Sequence, residues 1–367
     1  MAYIDKFFRD KSDKLSYLEL KNQKEVYVDY GLNDIALPIV ADDLMMALQN
    51  DHFQNEVSSE YIVDGMLYNI AIDPDFKYVQ DYKNVLKNMI SDPSKFAVSR
   101  GIEYFDKDPE RALIFFRAAY LINPEDNYAA YNYARMLWRL DVDEDKKSEF
   151  IASSIKILEN TINKDDKFAL GYYELGNINQ ALGEYLKSMN YYKNTLERVD
   201  LDSVKEEVRM KMKEVEPDAL IEDAIYSINR MNYSRAIELL NEVQKNSNRY
   251  DALYYLAVCY MNQENFELAD EFFEKAVKGG ADFATLYIDY IYVKYIKGEV
   301  IEALNLANNA LEAYPADLKI RYNRALIYVQ LDQVDKAIED LDFILEYDDL
   351  SDEFFSQVMT VKQALME

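Results

Sequence analysis

The sequence predicts an all-α solenoid of antiparallel helix pairs, and three observations carry that prediction. One pattern recurs four times in the C-terminal half: an alanine, a second apolar residue four positions on, and a small or apolar residue three further. It reads Ala236/Leu240/Val243, Ala269/Phe273/Ala276, Ala303/Ala307/Ala310 and Ala337/Leu341/Ile344, with leading alanines 33, 34 and 34 residues apart. Self-similarity at a constant interval marks a repeat architecture. Within each repeat, positions i, i+4 and i+7 share one face of a helix. Ahead of each runs a second amphipathic stretch, as at Leu253, Leu256, Ala257 and Tyr260, with a turn between such as Glu264-Asn265 or Gly298-Glu299. Each repeat is therefore two antiparallel helices, and the alanines stand where the helices approach closely.

Taken along the chain, residues 1–92 form a mainly helical N-terminal region. Ala41 to Gln49 is expected as a short helix, and Tyr61 to Ile72 with Tyr78 to Met89 as a helix pair around Asp73-Pro74, a degenerate repeat over 56–92. Val26 to Val40, with Pro38, is expected to be extended; residues 1–25 carry no assignment. The array spans 93–351, its repeats starting near 93, 128, 169, 217, 250, 284 and 318. Two of the intervals are long, 41 and 48 residues. Asp141 to Lys147 is a polar insertion in the first, and Leu201 to Glu216 a charged helical stretch in the second that lengthens a helix or adds one. Residues 352–367, with Phe354, Phe355, Val358, Val361 and Leu365, read as a terminal capping helix, since the last repeat of a solenoid has an uncovered apolar face.

Several stretches resemble the tetratricopeptide repeat. Tyr172, Leu175 and Gly176 match the aromatic-x-x-Leu-Gly of its first helix, and Gly183-Glu184-Tyr185 its turn. Ala112, Phe116, Ala119 and Pro124 match the second-helix signature, as do Ala303, Ala310 and Pro315 with Ala307 in the aromatic slot. The glycine slot is filled only at Gly176, and Lys164 stands where proline is expected. The resemblance implies a right-handed superhelical solenoid whose first helices line a concave face. It does not specify a function.

Composition narrows the function classes. A net charge of −27 disfavours nucleic acid and anionic membrane as partners and favours basic ones. There are 32 tyrosines against 17 phenylalanines and one tryptophan, which suits partly buried surfaces. No N-terminal apolar stretch reads as a signal peptide, and the longest apolar run, Ala252 to Met261, is too short to span a membrane, so cytoplasmic residence is expected.

Candidate chemistry is sparse. His52, the only histidine, reads as a surface residue, and Cys259, the only cysteine, as helix packing. Asp141, Asp143 and Asp145 imitate the start of a calcium loop, but Lys146 and Ala152 occupy positions that require glycine and glutamate. Gly279-Gly280 leads into Ala281-Asp282 and reads as a helix stop. The expectation is a protein with no catalytic residues, metal or cofactor.

The register implied by the resemblance assigns concave-face positions. They are Asn132 and Arg139; Tyr173, Asn177 and Gln180; Tyr254 and Asn262; Tyr292 and Tyr295; Tyr322 and Gln330. Amides donate to and accept from a peptide backbone, and tyrosines supply rigid contact area; the same tyrosines equally suit helix-to-helix packing. The leading expectation is a scaffold or adaptor for a protein or peptide, its lining lacking a basic cluster for carboxylate tails. Two alternatives stand beside it: a bacterial peptide-responsive regulator with an N-terminal effector module, and a self-associating structural protein.

Overall fold

The structure is a computed structural model that describes residues 3–18, 35–49 and 58–366. His52 and positions 26–34 of the expected extended stretch lie outside the described residues. The chain divides into two compact units, Met1–Val215 and Glu216–Glu367.

The first unit opens with helix α1 (Tyr3–Arg9), a short 3-10 turn, and strands β1 (Leu15–Leu18) and β2 (Leu37–Val40). The strands pair antiparallel, with Leu15 opposite Val40 and Leu18 opposite Leu37. This small sheet is an addition to the expected helical region. All four residues of β2 are buried, because the strand lies against a helix; Pro38 is tolerated because a two-stranded sheet has only edge strands. Helices α2 (Ala41–Gln49), α3 (Ser59–Ile72) and α4 (Val79–Met89) follow. The last two occupy the expected degenerate repeat, but α3 packs chiefly on β2 and on a helix further along the chain, α6. Gly65 makes the approach to β2 possible: a Cβ there would collide with the Pro38 carbonyl oxygen.

Regular pairing begins at α5 (Pro93–Tyr104) and α6 (Pro109–Ile122), followed by α7 (Asn127–Arg139) with α8 (Glu144–Lys164) and α9 (Ala169–Ala181) with α10 (Tyr185–Arg198). Asp92 and Asp108 cap α5 and α6 by accepting from the backbone N–H of Lys95 and Arg111. Proline follows each cap, at the first helical position where no N–H is needed. Part of the insertion at 141–147 is absorbed by α8, which starts at Glu144 and runs for 21 residues. Phe115, Phe116 and Phe150 are among the largest fully buried side chains of this core.

Helix α11 (Asp202–Asn229) is a single 28-residue helix containing Pro217. It joins the charged stretch and the first helix of the repeat placed near 217 into one element. The second unit continues with α12 (Tyr233–Asn246), α13 (Tyr250–Asn262), α14 (Phe266–Lys278), α15 (Ala284–Ile296), α16 (Val300–Ala313), α17 (Leu318–Gln330) and α18 (Val334–Leu345). Ala236, Ala269, Ala303 and Ala337 are all fully buried at the helix junctions. Helix α19 (Asp352–Met366) packs on α18, with Val358 buried in a cluster with Ala325, Leu341 and Ile344. The fold is an all-α solenoid of helix pairs in each unit.

The turns repeat as strictly as the alanines. Positive φ recurs at Met231, Glu264, Gly298 and Asp332, at 59°, 60°, 77° and 58°. The next residue's N–H reaches back five residues each time, Asn265 to the Tyr260 carbonyl at 2.9 Å and Gln333 to Tyr328 at 2.8 Å. This is a Schellman ending, which satisfies carbonyls that the helix terminus leaves open.

Candidate polypeptide-binding face

In the first unit, the predicted positions gather around a carboxylate that the sequence did not single out. Glu174 of α9 is fully buried. The Trp138 indole N–H donates to its Oε1 at 2.8 Å, Arg139 lies 3.2 Å from the same oxygen, and Asn177 donates to Oε2 at 3.3 Å. A buried carboxylate is tolerated only when its charge is met in this way. The Tyr192 hydroxyl of α10 donates to Asn177 Oδ1 and stands 2.9 Å from Gln180 Oε1. Gln180 in turn donates to Glu214, and the Tyr173 hydroxyl donates to Glu207. Burial and the neighbouring Glu207 carboxylate push the Tyr173 phenol upward, so it stays a donor at neutral pH.

Hence Tyr173, Asn177 and Gln180 are brought together, but their polar groups are already engaged within the chain. Asn132 donates to the Tyr128 carbonyl of its own helix at 2.8 Å. Arg139 keeps an exposed guanidinium, lying 5.2 Å over the Trp138 ring.

In the second unit, Tyr254 is buried among Tyr255, Phe273 and Phe283 and donates its hydroxyl to Asp289 on the next first helix at 2.9 Å. Asn323 of α17 similarly donates to the Ile288 carbonyl of α15 at 3.2 Å. Successive first helices α13, α15 and α17 are therefore neighbours. Tyr295 packs against the α16 cluster, and Tyr322 against Phe354 of α19 with ring centroids 5.5 Å apart. These three tyrosines work mainly in packing. Tyr292 is different: it is 45 % exposed. Asn262 and Gln330 are exposed at the C-terminal ends of α13 and α17, in register with Ile296, also 45 % exposed, at the end of α15.

Four residues before each of those helix ends stand Val258, Tyr292 and Leu326, the flanking two half-buried. The result is a stripe of apolar and aromatic side chains across three neighbouring helices, edged by the exposed amides of Gln330 and of Asn262, the latter donating to the Val258 carbonyl of its own helix at 2.8 Å. Among the described residues no group of three His, Cys, Asp or Glu could hold a metal ion. Cys259 is buried, and burial pushes its thiol up to about 12, away from reactivity. The face offers contact area without a nucleophile.

Comparison with known proteins identifies the repeat. The tetratricopeptide repeat family model matches residues 229–282 and 297–345. These two segments match the tetratricopeptide repeat. The matched segments enclose α12 to α14 and α16 to α18, where the alanine interval is constant. A 118-residue stretch is 28 % identical to the BBSome complex member BBS4 of Bos taurus, covering 32 % of this chain and 22 % of that protein. The chain thus spans about a fifth of the length of that relative. Among solved structures, a tetratricopeptide repeat protein from Parabacteroides merdae is 14 % identical, with a TM-score of 0.36 over 75 % of this chain and 99 % of that one. YrrB, a repeat protein with an unusual peptide-binding site, is 18 % identical, with a TM-score of 0.36 over 52 % of this chain and 91 % of that one. Among the described residues no helix is long and apolar enough to cross a membrane.

Proposed function

We propose that this protein is a non-catalytic scaffold for other polypeptides, and that the first-helix face of the second unit takes an apolar, aromatic-accepting segment of a partner. The observation that carries this is the exposed pair Tyr292 and Ile296 on α15, flanked in register by Val258 and Asn262 on α13 and by Leu326 and Gln330 on α17. Exposed large apolar side chains in a row attract a partner because their burial removes apolar surface from water. The Gln330 amide then fixes a backbone by donating and accepting, and Asn262 Oδ1 by accepting. Arg139 of the first unit is a separate, cationic contact point, its charge shared with Glu174. The net charge of −27 supports a basic partner and opposes nucleic acid or an anionic membrane. The reading takes the protein as cytoplasmic.

The test replaces Tyr292 with a photoreactive phenylalanine analogue and crosslinks in lysate of the source organism. Alongside it, wild type and a Tyr292→Asp, Leu326→Asp variant of unchanged melting temperature are compared for partner retention. A polypeptide crosslinked at position 292 and lost from the variant supports the reading. Equal retention by both, or crosslinks only to a second copy of the chain, would sink it.

A further inference from the structure

A cleft of about 280 Å³ opens in the first unit where α1 crosses α6, α7 and α8. Arg117 of α6 borders it and is only 7 % exposed. Its Nη2 meets Asp5 of α1 at 3.3 Å, and the guanidinium lies 3.9 Å over the Phe8 ring centroid. Its Nη1 has no hydrogen-bond partner among the described residues. Nη1 is itself closed to water; a buried guanidinium N–H without an acceptor is costly, so an acceptor reaching it as the cleft wall yields would be favoured.

The carboxylates of the cleft are engaged within the chain. Both oxygens of Glu149 accept the backbone N–H groups of Tyr3 and Ile4, at 3.2 and 3.1 Å, and Asp5 is engaged by Arg117. Lys156 of α8 is exposed and forms no ion pair among the described residues. Two cations and two carboxylates line the cleft, and the donors left without an acceptor are cationic. Opposite it the wall is apolar: Tyr120 stacks on Tyr133 with centroids 5.6 Å apart, beside Leu121 and Ile157.

We propose that this cleft binds a small monocarboxylate with a compact aliphatic or aromatic body. Its carboxylate is held by Arg117 and Lys156, and its body rests on Tyr120 and Tyr133. A charge-assisted bond to a guanidinium is the strong kind of polar contact, and aromatic rings supply the apolar area. Asp5 and Glu149 at the rim disfavour a dianion such as phosphate. The volume lies just under the roughly 300 Å³ at which small-molecule sites begin, which excludes a folded partner segment.

Calorimetric titration of the full chain with phenylacetate and hexanoate tests this, against phenylacetamide, inorganic phosphate and a short peptide with a free C-terminus. Three variants accompany it: Arg117→Gln, Lys156→Gln and Ser153→Phe, the last filling the cleft from its α8 wall. The expected result is saturable one-site binding of the carboxylates only, lost in Arg117→Gln and Ser153→Phe and weakened about tenfold in Lys156→Gln. Because Arg117 also holds α1, the Lys156 and Ser153 variants, whose side chains support no described contact, separate ligand loss from a loosened fold. The proposal is overturned by any of three results. One is the absence of carboxylate binding at millimolar concentration. Another is equal binding of the amide, phosphate or the peptide. The third is unchanged binding in both the Lys156 and Ser153 variants.

Discussion

The Tyr192 hydroxyl, on the second helix of its pair, donates to the side-chain carbonyl of Asn177 on the first at 2.8 Å. It also stands 2.9 Å from Gln180 Oε1. The ring is fully buried beneath Gly176, where a Cβ would come within 2.5 Å of a Tyr192 ring carbon. The glycine of the tetratricopeptide pattern is therefore required here by the ring that faces it.

Tyr192→Phe keeps the ring and removes its hydrogen bond. Loss of about 1 kcal/mol is expected, the net worth of one such bond. Urea unfolding should show a lower midpoint with an unchanged slope. The freed amides of Asn177 and Gln180 should show altered side-chain NH₂ shifts by NMR.

Gly65→Ala should be more damaging. Its Cβ would meet the backbone of Pro38, which cannot rotate away as a side chain would. The expected loss is roughly 1–3 kcal/mol, as for overpacking. Hydrogen exchange should localise the effect to residues 37–40 and 61–72, with the second unit unchanged.

Glu264→Gly should stabilise. Glu264 holds a φ of 60°, which costs a residue with a Cβ about 1 kcal/mol relative to the ordinary helical region. Glycine removes that strain but adds backbone entropy to the unfolded chain, leaving a gain of about 0.5 kcal/mol. Thermal unfolding of wild type and variant in parallel measures it; a lower melting temperature in the variant would falsify the strain argument.

Asp289 makes stability depend on pH. Burial raises its carboxyl above the ordinary carboxylate value, and the Tyr254 hydroxyl and Lys319 only partly oppose this. Between the ordinary and the raised value, the folded state holds more protons than the unfolded one. Stability therefore falls as pH climbs through that window and stays reduced above it. Asp289→Asn still offers Tyr254 an acceptor and removes the buried charge. The variant should unfold at higher urea than wild type at neutral pH, and the advantage should vanish toward about pH 3.

Legibility in the sequence followed periodicity. The buried alanines announced the helix pairs because a small residue is needed at a fixed interval only where helices must meet closely at that same interval. The same device could not show that Leu201 to Glu216 continues into the following helix. A proline is as much at home at a helix start as a sign of interruption, and Pro217 instead lies inside α11. The β1–β2 pairing was hidden because its two strands are separated by 18 residues and neither alternates clearly. Glu174 was invisible among 68 acidic residues; its only signal is Trp138, 36 positions earlier, a polar ring edge one repeat away. The binding-face positions divided for a related reason. Register assigns a residue to a face, but only the neighbouring helix decides whether its polar group is already taken, as for Tyr254 and Asp289.

Those cross-helix bonds share a ruler. Trp138 to Glu174, Tyr173 to Glu207, Tyr254 to Asp289 and Asn323 to Ile288 join residues 34 to 36 positions apart. A chain tied at one fixed stride tolerates changes of length in a quantised way. A duplicated stretch of one full stride, inserted at a turn, would find every tie again with a new neighbour. An extra residue or two within a first helix would rotate its donors away from their acceptors. Growth and shrinkage of this protein over evolutionary time should therefore proceed by whole repeats, with other insertions placed in turns, as ahead of α8, or added at a helix end, as in α11.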